Sequence, residues 1–416
     1  MTEMVKTKNE TETIEGFKKT KIGWIPVDWD VVPIGKIGKI INGLTYSPND
    51  IDENGVLVLR SSNVQNRQLE FNDNVFVHVE DGDFNPVKEN DILICVRNGS
   101  RSLIGKNTLI NKKSAGYAFG AFMTVYRSEF NSFLFQLFDT DIYNKAVHKN
   151  LGATINSING KDLKKFLVPL PPKSERLKIS SILSDWDEAI EKTQTIIKKL
   201  ELRKKGVMQE LLTGKTRLAG FNEEWEEREL GYYIKSTPRP RDKPSEPFLA
   251  LGLRSHGKGI FHKPNFDPNS IAMDTLYEVK ENDLVVNITF AWEHAIAIAD
   301  KEDEGGLVSH RFPTFTFKDN ISDAMYFRYY VLQPRFKYLL GVISPGGAGR
   351  NRVMSKKDFP ELVIKVPSYT EQKAISEVLQ SIDHEIEQQQ NYLEQLESQK
   401  KGLMQQLLTG KIRVNV

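Results

Sequence analysis

Cysteine is almost absent. Cys95 is the only one in 416 residues, so the chain can form no internal disulfide and no cysteine-based zinc site. Histidine is sparse: the 7 residues are scattered and no HExxH pair occurs, so no metal site is expected. No apolar run approaches the roughly 18 residues of a membrane-spanning helix, so no membrane partner is expected. The segment from Met1 to Glu15 is polar and lacks the apolar stretch of a secretory signal, which places the expected compartment in the cytoplasm. An excess of one charge is also missing. The 57 Lys and Arg nearly balance 55 Asp and Glu, for a net +2. A nucleic-acid partner would therefore need positive groups gathered on one face. Core-forming material is plentiful: 39% of residues are hydrophobic, with 22 Phe, 13 Tyr and 5 Trp. The length suits two or three domains.

The strongest signal is an internal repeat. Lys204-Lys205-Gly206-Val207-Met208-Gln209-Glu210-Leu211-Leu212-Thr213-Gly214-Lys215 recurs 196 residues later as Lys400-Lys401-Gly402-Leu403-Met404-Gln405-Gln406-Leu407-Leu408-Thr409-Gly410-Lys411. The same shift aligns Trp29 with Trp225, Glu175 with Glu371, and Asp187 with Asp383. Each repeat starts with a variable segment, 17–170 or 218–366, and ends with a closely matched one, 171–217 or 367–416. The variable segments share a skeleton: Val87-Lys88-Glu89-Asn90-Asp91-Ile92-Leu93-Ile94 resembles Val279-Lys280-Glu281-Asn282-Asp283-Leu284-Val285-Val286. Scaffolds that stay alike while their loops diverge are what paired binding domains with different targets would show.

The matched segments read as helices. Ile179, Leu183, Trp186, Ile190, Ile197 and Leu200 alternate four and three apart, around Thr193, and form a heptad seam. Ile375, Leu379, Ile382, Ile386, Leu393 and Leu396 do the same around Gln389. Pro171 or Pro367 precedes each helix, and Gly214 or Gly410 can end it. A helix of about 39 residues extends about 58 Å. Two such stripes can bury each other as an antiparallel two-helix coiled coil. That gives two domains at opposite ends of a rod, with pseudo-two-fold symmetry.

The variable segments read as α+β domains. Strands are expected at Val56 to Leu59, Asp91 to Val96 and Ala121 to Tyr126. In the second domain they are expected at Asp283 to Asn287, Ala295 to Ala299 and Phe312 to Phe317. Single helices are expected over 130–149 and 322–340. Polar clusters interrupt the strands. The first domain offers Arg60, Ser62, Asn63 and Arg67, then Arg97, Asn98, Ser100 and Arg101. The second offers Arg239, Arg241, Arg254, His256, Lys258, Asn287, His294, His310, Arg311, Arg350 and Arg352. Arg, Asn, Ser and His can read base edges, whereas Lys, Ser and loop amides suit phosphates.

Catalytic motifs are lacking. There is no GxxxxGK[ST] loop and no dinucleotide fingerprint. Asn287-Ile288-Thr289-Phe290 has the ends of an Asn-Pro-Pro-Phe methyltransferase motif but neither proline, and it reads as a strand end. The pattern is that of a reader, not an enzyme.

From Gly23 to Arg413 the chain resembles the specificity (S) subunit of Type I restriction-modification systems. The resemblance rests on the tandem domains and on the repeated helices ending in Leu-Leu-Thr-Gly-Lys. It rests also on Leu167-Val168-Pro169-Leu170-Pro171-Pro172, Lys88-Glu89-Asn90-Asp91-Ile92-Leu93, and the Gly23-Trp24-Ile25-Pro26-Val27-Asp28-Trp29 entry. Two departures occur: Val366-Pro367-Ser368 replaces a double proline, and residues 1–16 read as a disordered extension.

The resemblance implies two target-recognition domains, each binding half of a split, asymmetric sequence on double-stranded DNA. It further implies two methyltransferase (M) and two motor-nuclease (R) subunits as partners. These would hold the adenosylmethionine, ATP and magnesium, with no cofactor in this chain. Two other readings stay open: a non-enzymatic coiled-coil scaffold presenting protein- or glycan-binding modules, and the specificity portion of an enzyme with another cutting mechanism.

Overall fold

The structure is a computed structural model that describes residues 14–80, 82–151, 156–346 and 352–415. The expected disordered extension lies outside the described residues as far as residue 13; from there a turn leads into the strand Phe17–Thr20. Contacts divide the chain into two units. The first runs to Gln194 and takes in the stretch from Tyr392 onward, and the second is Thr195–Asn391.

Each unit has the same framework. In the first, a four-stranded antiparallel sheet runs in the order Asn107–Leu109, Ile92–Cys95, Met123–Arg127, Lys39–Asn42. In the second, the order is Ile296–Ile298, Leu284–Val286, Thr314–Phe317, Ile234–Ser236. Two of the middle strands, Ile92–Cys95 and Leu284–Val286, are continuous apolar runs because both their faces are buried. A second sheet follows in each unit. Ile51–Leu59 pairs in parallel with Ala118–Phe119, and Phe248–Leu253 pairs in parallel with Leu307–Val308. The second unit enlarges this sheet to five strands, with the hairpin Phe248–Leu253 and Ile260–Phe266 at its edge.

The shared Lys-Glu-Asn-Asp segment is the turn into the central strand. Asn90 and Asn282 take left-handed backbone there (φ 64° and 66°), a conformation asparagine tolerates. Asp91 and Asp283 accept the backbone N–H groups of Lys88 and Lys280. Each buried carboxylate is neutralised by an arginine from a different place: Arg127 on Asp91, and Arg239 on Asp283.

The single helices expected over 130–149 and 322–340 are each two helices: Asn131–Leu137 with Asp141–Asn150, and Ala324–Tyr330 with Pro334–Val342. In the second unit Pro334 has no N–H for the preceding turn and holds Gln333 extended. In the first, Thr140 is extended and begins a new helix.

The long helices are Lys173–Leu211 and Tyr369–Leu407, of 39 residues each. Gly214 and Gly410 follow them in left-handed backbone (φ 70° and 69°), the geometry that glycine supplies at a helix end. Ile179, Leu183, Ile197, Ile375, Leu379, Ile382, Ile386 and Leu396 are buried; Trp186, Ile190, Leu200 and Leu393 are half-buried.

Within each unit, segments from both repeats pack together. In the first, Ile179 and Leu183 share a core with Trp29, Met404, Leu407 and Leu408. In the second, Ile375 and Leu379 share one with Trp225, Leu211 and Leu212. Matching ion pairs set an antiparallel register. Glu175 meets Arg413 and Asp187 meets Lys400; Arg217 meets Glu371 and Lys204 meets Asp383. The carboxylates of Glu175 and Glu371 are buried. Each accepts an indole N–H, from Trp29 at 3.0 Å or Trp225 at 3.2 Å, along with two guanidinium bonds. Asp28 also pairs with Arg413, and that contact holds the Asp28 carboxyl below its usual range.

Candidate nucleic-acid interface

At the same end of the four-stranded sheet, each unit gathers loops from separate parts of the chain. In the first unit the chain leaves the central strand at Val96. Val96 N–H donates to the Phe122 carbonyl at 3.0 Å, Arg97 N–H donates to it at 3.1 Å, and Ile158 N–H donates to the Val96 carbonyl at 2.9 Å. Loops around 97–105, 120–122 and 156–158 therefore meet. The turn Ser61–Asn63 joins them, because Asn98 Nδ2 donates to Ser61 Oγ at 2.9 Å and Lys106 Nζ to the Ser61 carbonyl at 3.2 Å. Arg97, Ser100, Arg101 and Phe122 are exposed on this crown, and the Arg97 guanidinium lies 5.7 Å from the Phe122 ring centre.

The second unit repeats the plan. Ile288 N–H donates to the Arg311 carbonyl at 3.0 Å, and Met354 N–H donates to the Ile288 carbonyl at 2.8 Å. The hairpin tip after Leu253 is tied on by Ser255 Oγ, which donates to Glu293 Oε2 at 2.6 Å, and by Gly257 N–H, which donates to the His294 carbonyl at 2.8 Å. Leu253-Arg254-Ser255 thus occupies the place of Leu59-Arg60-Ser61, each serine being anchored to the neighbouring loop. Arg254, His256, Lys258, His310 and Arg311 are exposed here. Arg352 lies over Trp292, 5.5 Å from its ring centre. Among the described residues, Arg97, Arg101, Lys258 and Arg311 have no carboxylate partner, so their charge is free for an anionic ligand.

A model of the family described as Type I restriction modification DNA specificity domain matches residues 26–202 and again 222–398. The chain belongs to this family.

A putative Type I restriction enzyme specificity subunit, MjaX of Methanocaldococcus jannaschii, is 29% identical over 96% of this chain and 97% of its own length. The MjaVIII specificity subunit of the same organism is 26% identical over 96% of each chain. In fold, the chain resembles the S subunit from M. genitalium, with a TM-score of 0.58 at 15% identity over 91% of this chain and 96% of that one. The reading as a scaffold for protein or glycan modules finds no support in these likenesses.

Within this specificity-domain pair, several residues expected to face DNA instead hold the protein together. Asn63 is fully buried and donates to the carbonyls of Glu70 and Asp73. Arg67 turns inward to Asn107 and packs on Phe135, and burial pushes its guanidinium below the ordinary arginine range. Arg239 is committed to buried Asp283. Asn287 is buried and caps its own turn through Thr289 N–H. His294 is buried with its Nε2 at 2.7 Å from the Val331 carbonyl, and burial lowers its pKa from the ordinary value.

Others are partly committed. Arg60 pairs with Asp73, the Ser62 hydroxyl is buried, and exposed Arg241 pairs with Glu278. Asn98 organises its loop through Ser61 and Ser100. Arg350 lies outside the described residues. Phe122 was missed by looking only for polar groups; an aromatic residue between glycine and a strand, Gly120-Ala121-Phe122-Met123, was the available signal. The described residues contain no group of His, Cys, Asp and Glu arranged to hold a metal, and no helix long and apolar enough to cross a membrane.

Proposed function

We propose that this chain reads DNA for a Type I restriction-modification complex, each unit laying its crown of loops on one half of a split, asymmetric site. One observation carries the reading: both units place unpaired, exposed cations on the same end of the same sheet, using different side chains in each. A shared scaffold with unlike loops suits two unlike half-sites. Two methyltransferase subunits and two motor-nuclease subunits complete the complex in this proposal. Adenosylmethionine, ATP and magnesium belong to them, and this chain contributes no catalytic group. The net charge of +2 then fits a division of labour in which partners supply much of the phosphate contact. The proposed compartment is the cytoplasm, where its DNA is.

The test is binding of duplex DNA by the assembled complex across a salt series. Affinity is expected to fall steeply with salt. Arg101→Ala, at a rim position, should weaken binding to every sequence alike and reduce the logarithmic salt slope by about one. Binding that ignores both sequence and salt would refute the proposal.

A further inference from the structure

We propose that one pair of facing positions determines which bases each unit reads: Arg97 with Phe122 in the first unit, and Thr289 with Arg311 in the second. This rests on the DNA-reading role above and names its base-reading contacts.

The positions are equivalent by their backbone bonds. Val96 and Ile288 each leave the central strand, donate to the carbonyl of the facing residue, and accept an N–H from the returning chain, at Ile158 or Met354. The next residue, 97 or 289, then stands beside 122 or 311. On this common frame the side chains are exchanged. The first unit sets a guanidinium across an aromatic ring. The second sets Arg311 Nη1 on Thr289 Oγ1 at 3.3 Å.

Phe122 is 55% exposed, although its backbone is held rigidly by two hydrogen bonds to its carbonyl. An apolar ring presented in this way among cations has one partner in the major groove, the thymine methyl group. A positioned guanidinium has another, the paired acceptors of guanine. Both arginines are positioned by a neighbour, so they lose less side-chain freedom on engaging a base than a loose rim lysine would. The first half-site therefore holds a thymine under Phe122 beside a guanine under Arg97. The second holds a guanine under Arg311.

The experiment maps methylated sequences made by the complete complex in a host without other adenine methylation. Phe122→Ala should relax one T·A pair in one half of the motif by about tenfold or more and leave the other half unchanged. Arg311→Ala should relax a G·C pair in the other half. Arg311→Lys should behave like Arg311→Ala, because an ammonium lacks the two-pronged donor. The inference is overturned if Phe122→Ala and Arg311→Ala relax the same half. It is overturned equally if neither changes the motif, or if Arg311→Lys keeps what Arg311→Ala loses, which would put Arg311 on a phosphate. Thermal unfolding of each variant separates lost reading from lost folding: a relaxed motif at an unchanged midpoint supports the pairs, and reduced methylation of an unrelaxed motif counts against them. A wild-type complex that methylates no split sequence would refute the DNA-reading function itself.

Discussion

Two buried glutamates show how much of this molecule depends on single side chains. Glu371 is 1% exposed, and its charge is met by Arg217 and the Trp225 indole. A buried carboxylate is tolerable only while such partners remain. Arg217→Ala removes the cation and leaves the anion in place, so it is expected to cost about 3–5 kcal/mol in chemical denaturation. Trp225→Phe loses one hydrogen bond to a charged group, about 1.5–3 kcal/mol, in addition to the packing of the larger indole in the core. Arg413→Ala should repeat the larger loss in the first unit, where Arg413 serves both Glu175 and Asp28. A cost below about 1 kcal/mol for Arg217→Ala would show that Glu371 is not buried as a charge.

At the level of elements, the hairpin tip of the second unit illustrates what fixes a reading loop. Gly257 and Gly259 both have left-handed backbone, with φ 65° and 80°. A Cβ on Gly259 would meet open space, whereas one on Gly257 would lie 2.8 Å from a Leu332 methyl and 3.6 Å from the His294 ring. Gly259→Ala is therefore expected to cost only the conformational strain, about 1–2 kcal/mol. Gly257→Ala should cost more, and should displace the tip carrying His256 and Lys258 and weaken binding at one half-site. Equal thermal shifts for the two would mean that the tip is not packed against Leu332. The long helices and central strands were legible in the sequence because an apolar period fixes which residues are buried whatever lies across from them. The hairpin was not, because Lys263-Pro264-Asn265 breaks the pattern on an exposed edge strand. The crown was legible only as clusters. Asn63, Arg67 and Arg239 look like readers in sequence, but their direction is set by Asp73, Asn107 and Asp283, which lie 10, 40 and 44 residues along the chain. Spacing carries no information about such partners.

For the whole molecule, duplication has a consequence beyond repeated shape. Each of the four Glu–Arg and Asp–Lys ion pairs joins the helical segment of one repeat to that of the other, using the same residue types at matching positions. The variable part of the second unit meets this framework through a shared apolar core, in which Leu211, Leu212, Ile375 and Leu379 pack with Tyr326, Tyr330 and Phe336, and through polar contacts, among them Trp225 on Glu371, Tyr329 on Asp383 and Gln372 on Asp323. A foreign segment replacing 218–366 should therefore fold in place if it brings an apolar face that covers Leu211, Leu212, Ile375 and Leu379, with a tryptophan for Glu371 and a hydroxyl or amide donor for Asp383. Gln136 already plays the second part on Asp187 in the first unit, which shows that the donor need not be tyrosine. Such an exchange should change one half of the methylated motif and preserve the other. A segment lacking the tryptophan should lower the unfolding midpoint without altering which half changes. Alteration of both halves by a well-folded exchange would mean that the two crowns do not read independently, and the modular account would have to be abandoned.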